Sequence, residues 1–131
     1  HREVAEVKTS AMLVLIELAK KEVDILKVVA LLTEMLPDPF LCRDARVNAM
    51  LALSVLSKNE LGRSAISSAG GVEVILGFVE LQDDVYFQGY RMETIRQLSQ
   101  DPSVANKIRQ EGGAVIVLDV MRGHRDNAIV Q

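Results

Sequence analysis

The chain has 131 residues, 49% of them hydrophobic and 25% charged, with a formal net charge of −3. That length buries one continuous core but leaves no material for a separate second domain. With 4% aromatics and no tryptophan, the chain lacks the basic, base-stacking surface of a nucleic-acid binder, and its one cysteine, Cys42, excludes an internal disulfide and fits a reducing compartment, cytoplasmic or nuclear.

In chain order, residues 1–19 read as an amphipathic helix in which Val7, Ala11, Leu15 and Leu18 share one face at helical period. Lys20 to Asp24 then form a tight turn, and the Leu31–Leu32 pair belongs to the apolar helix that follows. The run PDPFLCRD from Pro37 to Asp44 is a loop, because its two prolines remove backbone donors and push their neighbours out of the helical region. Loops carry function more often than packed cores do. Phe40 and Leu41 are therefore loop candidates for binding, with tucking back onto the preceding helix as the alternative.

Ala45, Ala49, Leu53 and Leu56 repeat the spacing of the first helix, and Phe87, Arg91, Ile95 and Leu98 repeat it again. Between these two copies, Asn59 caps a helix over Glu60 to Ala69, Gly70 closes it, and a second helix runs from Val72 to about Leu81. Asp83 and Asp84 then sit at the dipole-favoured start of a third helix over Val85 to Gln97. Pro102 starts the next unit, with helices over Ala105 to Gln110 and Val115 to Met121 separated by Gly112 and Gly113, and capping accounts for both glycines of each pair. Arg91 falls where the other copies have Ala11 and Ala49. A buried guanidinium must find an acceptor, so Arg91 is expected to reach a carboxylate or the carbonyls of the second helix, in a third helix loosened by Gly89.

The strongest signal is self-similarity. SAGGVEVILGFV at 68–79 returns as QEGGAVIVLDVM at 110–121, displaced by 42 residues, and HREVAEVK at 1–8 aligns with HRDNAIVQ at 124–131. A fixed period of this size marks a stacked repeat array. The units are a third helix over 1–19, repeats over 20–57 and 58–99, and a partial repeat over 100–131, all within one segment. Neither end carries a polar capping helix, so the expectation is a piece of a longer array whose apolar ends are open to self-association. Met12, Met50 and Met92 fall in one register and read as filler between stacked units.

Ala69, Gly70, Val72, Ile75, Phe78 and Val79, followed by third helices carrying Val14, Leu15 and Leu18 or Ala52, Leu53 and Leu56, resemble the armadillo repeat family. The resemblance implies an all-α fold, a right-handed armadillo-like α-solenoid of about three stacked repeats. The first complete unit departs from the pattern. Only 13 residues separate Leu18 from Leu31, against 22 from Leu56 to Phe78 and from Leu98 to Val120, so that unit lacks its short first helix and is closer to a HEAT-like hairpin.

In such arrays the third helices line the concave face. The resemblance therefore places Ser10, Leu13 and Glu17, Asn48, Leu51 and Val55, and Tyr86, Tyr90, Glu93 and Gln97 in a groove for a peptide or a partner protein. It implies a non-catalytic interaction scaffold, with chaperone-like client binding of the myosin-chaperone type, or a regulatory array attached to a catalytic domain elsewhere, as alternatives. Importin-alpha-like arrays hold basic localisation peptides with a Trp and an Asn four residues apart on each third helix. Here the corresponding pairs are Leu13 with Glu17, Leu51 with Val55 and Glu93 with Gln97, so that mode of binding is not expected.

Nothing in the sequence carries enzyme chemistry, cofactor binding or a metal site. His1 and His124 have no ligand at metal spacing, and Cys42 has no internal histidine base beside it. The longest apolar runs, Ala11 to Ile16 and Val28 to Leu32, fall far short of the ~20 residues that span a bilayer.

Overall fold

A computed structural model of the chain describes residues 24–78 and 80–123, together with Ser10, Leu13, Val14 and Glu17. Among the described residues the protein is all-α, with seven helices and no strand. They are α1 (Ile25–Met35), α2 (Arg43–Leu56), α3 (Glu60–Ser68), α4 (Gly71–Gly77), α5 (Val85–Leu98), α6 (Pro102–Gln110) and α7 (Gly113–Gly123). Ser10, Leu13, Val14 and Glu17 are helical as well. None of the described helices is long and apolar enough to cross a membrane.

One hydrophobic cluster runs from Ile25 to Ile108 and takes residues from each of α1 to α6. α1 contributes Ile25, Val28, Val29, Leu32 and, just past its end, Leu36, an apolar stripe at helical spacing. On α2 and α5 the shared spacing is buried throughout: Ala45, Ala49, Leu53 and Leu56 on one, Phe87, Arg91, Ile95 and Leu98 on the other. The first copy of that face, Val7, Ala11, Leu15 and Leu18, lies outside the described residues, as do Met12 and the turn over Lys20 to Val23. Met50 is fully buried and Met92 half-buried.

The helix pairings recur along the chain. α2 packs along α5 in the most extensive pairing, α1 packs against α3, and in the next unit α4 packs against α6. An ion pair reinforces the last pairing, Glu73 of α4 to Lys107 of α6 at 2.6 Å, and a second ties Arg63 of α3 to Asp101, the residue preceding α6, at 3.4 Å. The Lys107 hydrogen bond, with help from the backbone, pulls the Glu73 carboxyl below the usual carboxylate range.

Local chemistry sets the helix starts. The Asn59 side chain accepts the Gly62 N–H at 2.6 Å, and Asp84 accepts the Phe87 N–H at 2.8 Å, each satisfying an orphan donor of the first turn. Gly70 and Gly112, with φ of +76° and +80°, reverse the chain after α3 and α6 in the left-handed region. The second glycine of each pair has a different task. A Cβ on Gly71 would lie 2.6 Å from the Ile66 methyl and 2.8 Å from its carbonyl oxygen, and a Cβ on Gly113 would meet the same two atoms of Ile108. Capping therefore explains one glycine of each pair, and close approach to the preceding helix explains the other.

Two expectations are corrected. The second helix, expected to reach Leu81, stops at Gly77, with Phe78 extended. And α5, expected to be loosened by Gly89 and Arg91, runs unbroken for 14 residues, the same length as α2.

Candidate partner-binding face

Seven members of the expected groove are carried by α2 and α5. Asn48, Leu51 and Val55 follow one another at three- and four-residue steps along α2, and Tyr86, Tyr90, Glu93 and Gln97 do so along α5. Each set flanks the buried stripe of its own helix. Tyr86 is exposed and the other six are half-buried. Because α2 lies along α5, the two sets border one another, and Lys58, just past α2, is close enough to Glu93 to act on its ionisation. Ser10, Leu13 and Glu17 are exposed helical positions, with Leu13 about half exposed at 49%.

The polar members are already ordered. Asn48 donates to the Asp44 carbonyl at 2.8 Å, and Gln97 donates to the Glu93 carboxylate at 3.0 Å. Arg96 grips that carboxylate with two nitrogens, at 3.1 and 2.8 Å, a bidentate charge-assisted contact. The Arg96 contact, then the Gln97 contact, pull Glu93 down to about 2. Glu93 thus presents a fixed negative charge, with Lys58 and Arg96 as neighbouring positive ones. Val55 and Tyr90 pack against the core from outside, and Leu51, one turn before Val55 on α2, is half-buried as well. A surface of this kind offers apolar seats and ordered charges of both signs.

Beneath that face three side chains hold the backbone of the preceding helix and loop. Arg91 is buried and donates from Nε to the Ile75 carbonyl at 2.9 Å, from Nη2 to the Leu76 carbonyl at 3.0 Å and from Nη1 to the Gln88 side-chain oxygen at 3.3 Å. Ile75 and Leu76 lie in the last turn of α4, whose carbonyls have no partner within the helix, so the guanidinium caps it and meets the negative end of its dipole. Burial lowers the Arg91 pKa, yet an arginine stays charged in proteins. Gln88 donates to the Leu81 carbonyl at 3.0 Å, holding a loop in which Leu81 takes the left-handed φ of 59°.

Arg46 occupies on α2 the register position of Gln88 on α5 and has the same role. Its Nη2 donates to the Asp38 carbonyl at 2.7 Å, and its guanidinium lies 5.5 Å from the centre of the Phe78 ring, within cation–π range. Phe78 in turn packs on Phe87 at 4.9 Å between ring centres. Arg43, three residues earlier, is instead exposed, pairing with Asp44 at 2.8 Å and with Asp84, the cap of α5, at 2.5 Å. Arg46 is buried, and the signal for this was its shared register with Gln88.

The loop candidates separate. Asp38 folds the 37–42 turn by accepting the Phe40 N–H on its side chain at 2.9 Å and the Leu41 N–H on its carbonyl at 3.1 Å. Leu41 is thereby tucked into the protein at 6% exposure while Phe40 stands out at 90%. Leu41 is therefore a packing residue, and Phe40 alone is available to a partner. Cys42 is half-buried at the start of α2.

No known protein family, curated protein or solved structure matches this chain.

Proposed function

We propose that the chain is a right-handed armadillo-like α-solenoid segment acting as a non-catalytic scaffold, with the α2–α5 face as the seat for a peptide or partner protein. The observation that carries the reading is the half-buried Leu51, Val55 and Tyr90, bordered by the amides of Asn48 and Gln97 and by the ordered Glu93–Arg96 pair. Buried anchors prefer such partly desolvated apolar seats. The solenoid reading is supported by the recurring helix pairings and by left-handed glycines 42 residues apart, at Gly70 and Gly112.

The test is selection of peptides from a random 15-residue display library on the 131-residue chain. Selected peptides are expected to bind in titration calorimetry and to lose at least roughly tenfold in affinity against Leu51→Asp or Tyr86→Ala, a loss of about 1.4 kcal/mol. Both variants should retain the wild-type helical circular dichroism. Peptides that bind these variants as tightly as the wild type would place the site elsewhere. Suppression of the aggregation of an unfolded client without selective peptide binding would favour the chaperone-like alternative.

A further inference from the structure

The loop after α1 meets α4 and the residues just past it at an open notch of about 190 Å³, lined by Pro37, Glu73, Val74, Gly77, Phe78 and Glu80. Gly77 is not a glycine for the sake of the fold. Its φ is outside the left-handed region that Gly70 and Gly112 occupy, and an added Cβ would meet nothing within 4 Å. Glycine weakens a helix relative to alanine. What position 77 gains in return is open space in the lining of the notch.

The charges around the notch do not balance. Glu73 is held at one oxygen by Lys107, 2.6 Å away. Glu80 is exposed and makes no ion pair among the described residues, and the Asp38 carboxylate, next to Pro37, accepts the Phe40 N–H. The other nearby cation is the buried Arg46, 5.5 Å from the centre of the Phe78 ring. Three carboxylates thus stand against two cations, beside the apolar surface of Pro37, Val74 and Phe78. Phe40, 90% exposed, follows Pro37 by three residues and so lies within about 11 Å of it. An apolar cleft with excess negative charge suits a long side chain whose stem is apolar and whose head is cationic. Arginine fits better than lysine, because its guanidinium is weakly hydrated and forks onto a carboxylate.

We propose that this notch seats one arginine of a partner protein segment, its methylenes on Pro37 and Val74 and its guanidinium at Glu80 and Glu73, with the apolar neighbour of that arginine on Phe40. The seat shares no residue with the α2–α5 face and does not depend on it. It takes a single arginine in an apolar context, not a run of basic residues.

NMR titration of the isotope-labelled 131-residue chain with acetyl-leucyl-arginine amide tests it. Saturable shifts are expected at the amides of Val74, Gly77 and Phe78, with a Kd on the order of 1 mM that weakens as salt is added. The citrulline analogue, which keeps the shape and loses the charge, is expected to bind at least roughly fivefold more weakly. Glu80→Gln should weaken the arginine peptide by roughly threefold, and Phe40→Ser should erase the advantage of the leucyl over the glycyl peptide. Gly77→Leu, at an exposed position, should abolish binding while keeping the wild-type helical circular dichroism. No saturable shift up to about 10 mM peptide, equal binding of the citrulline analogue, or full binding to both Gly77→Leu and Glu80→Gln would overturn the proposal. Peptides that bind the α2–α5 face should bind Gly77→Leu as they bind the wild type, so failure of one site is distinguishable from failure of the other.

Discussion

Arg91 shows how far one residue can be derived from a sequence. Its helical phase puts it inside, and burial of an unpaired guanidinium is too costly to persist, so contact with second-helix carbonyls follows from two elementary facts. The structure adds which carbonyls: Ile75 and Leu76, at the end of α4. Arg91→Met keeps much of the volume but strands both acceptors and the Gln88 side chain. It should destabilise the fold by about 2–5 kcal/mol in denaturant melts, with Arg91→Lys intermediate because an ammonium cannot fork to two carbonyls. Arg46 was not legible in the same way. Its partners, the Asp38 carbonyl and the Phe78 ring, are supplied by a loop whose path depends on Asp38 itself, and no spacing rule encodes that path.

At the scale of the element, the helix phases were legible and the helix ends were not. Phase follows from which side chains must be buried, and Leu53, at 1% exposure, lies on the inward face of α2 as its spacing requires. Leu53→Ala should cost on the order of 2–5 kcal/mol, whereas Glu93→Ala, losing only a half-exposed surface pair, should cost under about 1 kcal/mol. Equal effects in urea titrations would mean that the phase is wrong. The end of α4 escaped sequence reasoning because its last turn is satisfied from α5 and not by a local cap. The glycine pairs were half legible: a left-handed turn announces itself, a close approach between helices does not. Gly71→Ala drives a methyl into the Ile66 backbone and should cost about 1–3 kcal/mol. Gly77→Ala, with nothing within 4 Å of the new methyl, should be neutral or add up to about 1 kcal/mol. Thermal melts of the two variants separate the roles.

For the molecule as a whole, the continuous cluster from Ile25 to Ile108 makes helices α1 to α6 one cooperative object. On α2 and α5 the half-buried positions were legible and their contacts were not. Spacing put Leu51, Tyr90 and Glu93 beside the buried stripes, but the clamp of Arg96 and Gln97 on Glu93, and the influence of Lys58, depend on how the helices lie together. This face carries aliphatic residues and a fixed ion pair where a localisation-signal receptor needs Trp and Asn ladders. A Lys/Arg-rich peptide should therefore show no low-micromolar binding in titration calorimetry. Such binding, if seen and abolished by Leu51→Ala, would contradict the site chemistry described above.

The grip of Arg91 on α4 also bears on the order in which the chain acquires its shape during synthesis. Residues 71–77 emerge from the ribosome before residue 91, and until α5 has emerged and wound up, the carbonyls of Ile75 and Leu76 have only water to bond. The last turn of α4 is finished by a helix translated after it. The natural quantum of vectorial folding in this protein is therefore a stretch reaching from the Gly70 turn at least to Arg91, and a nascent chain stalled short of that point carries a frayed α4 beneath an exposed apolar surface.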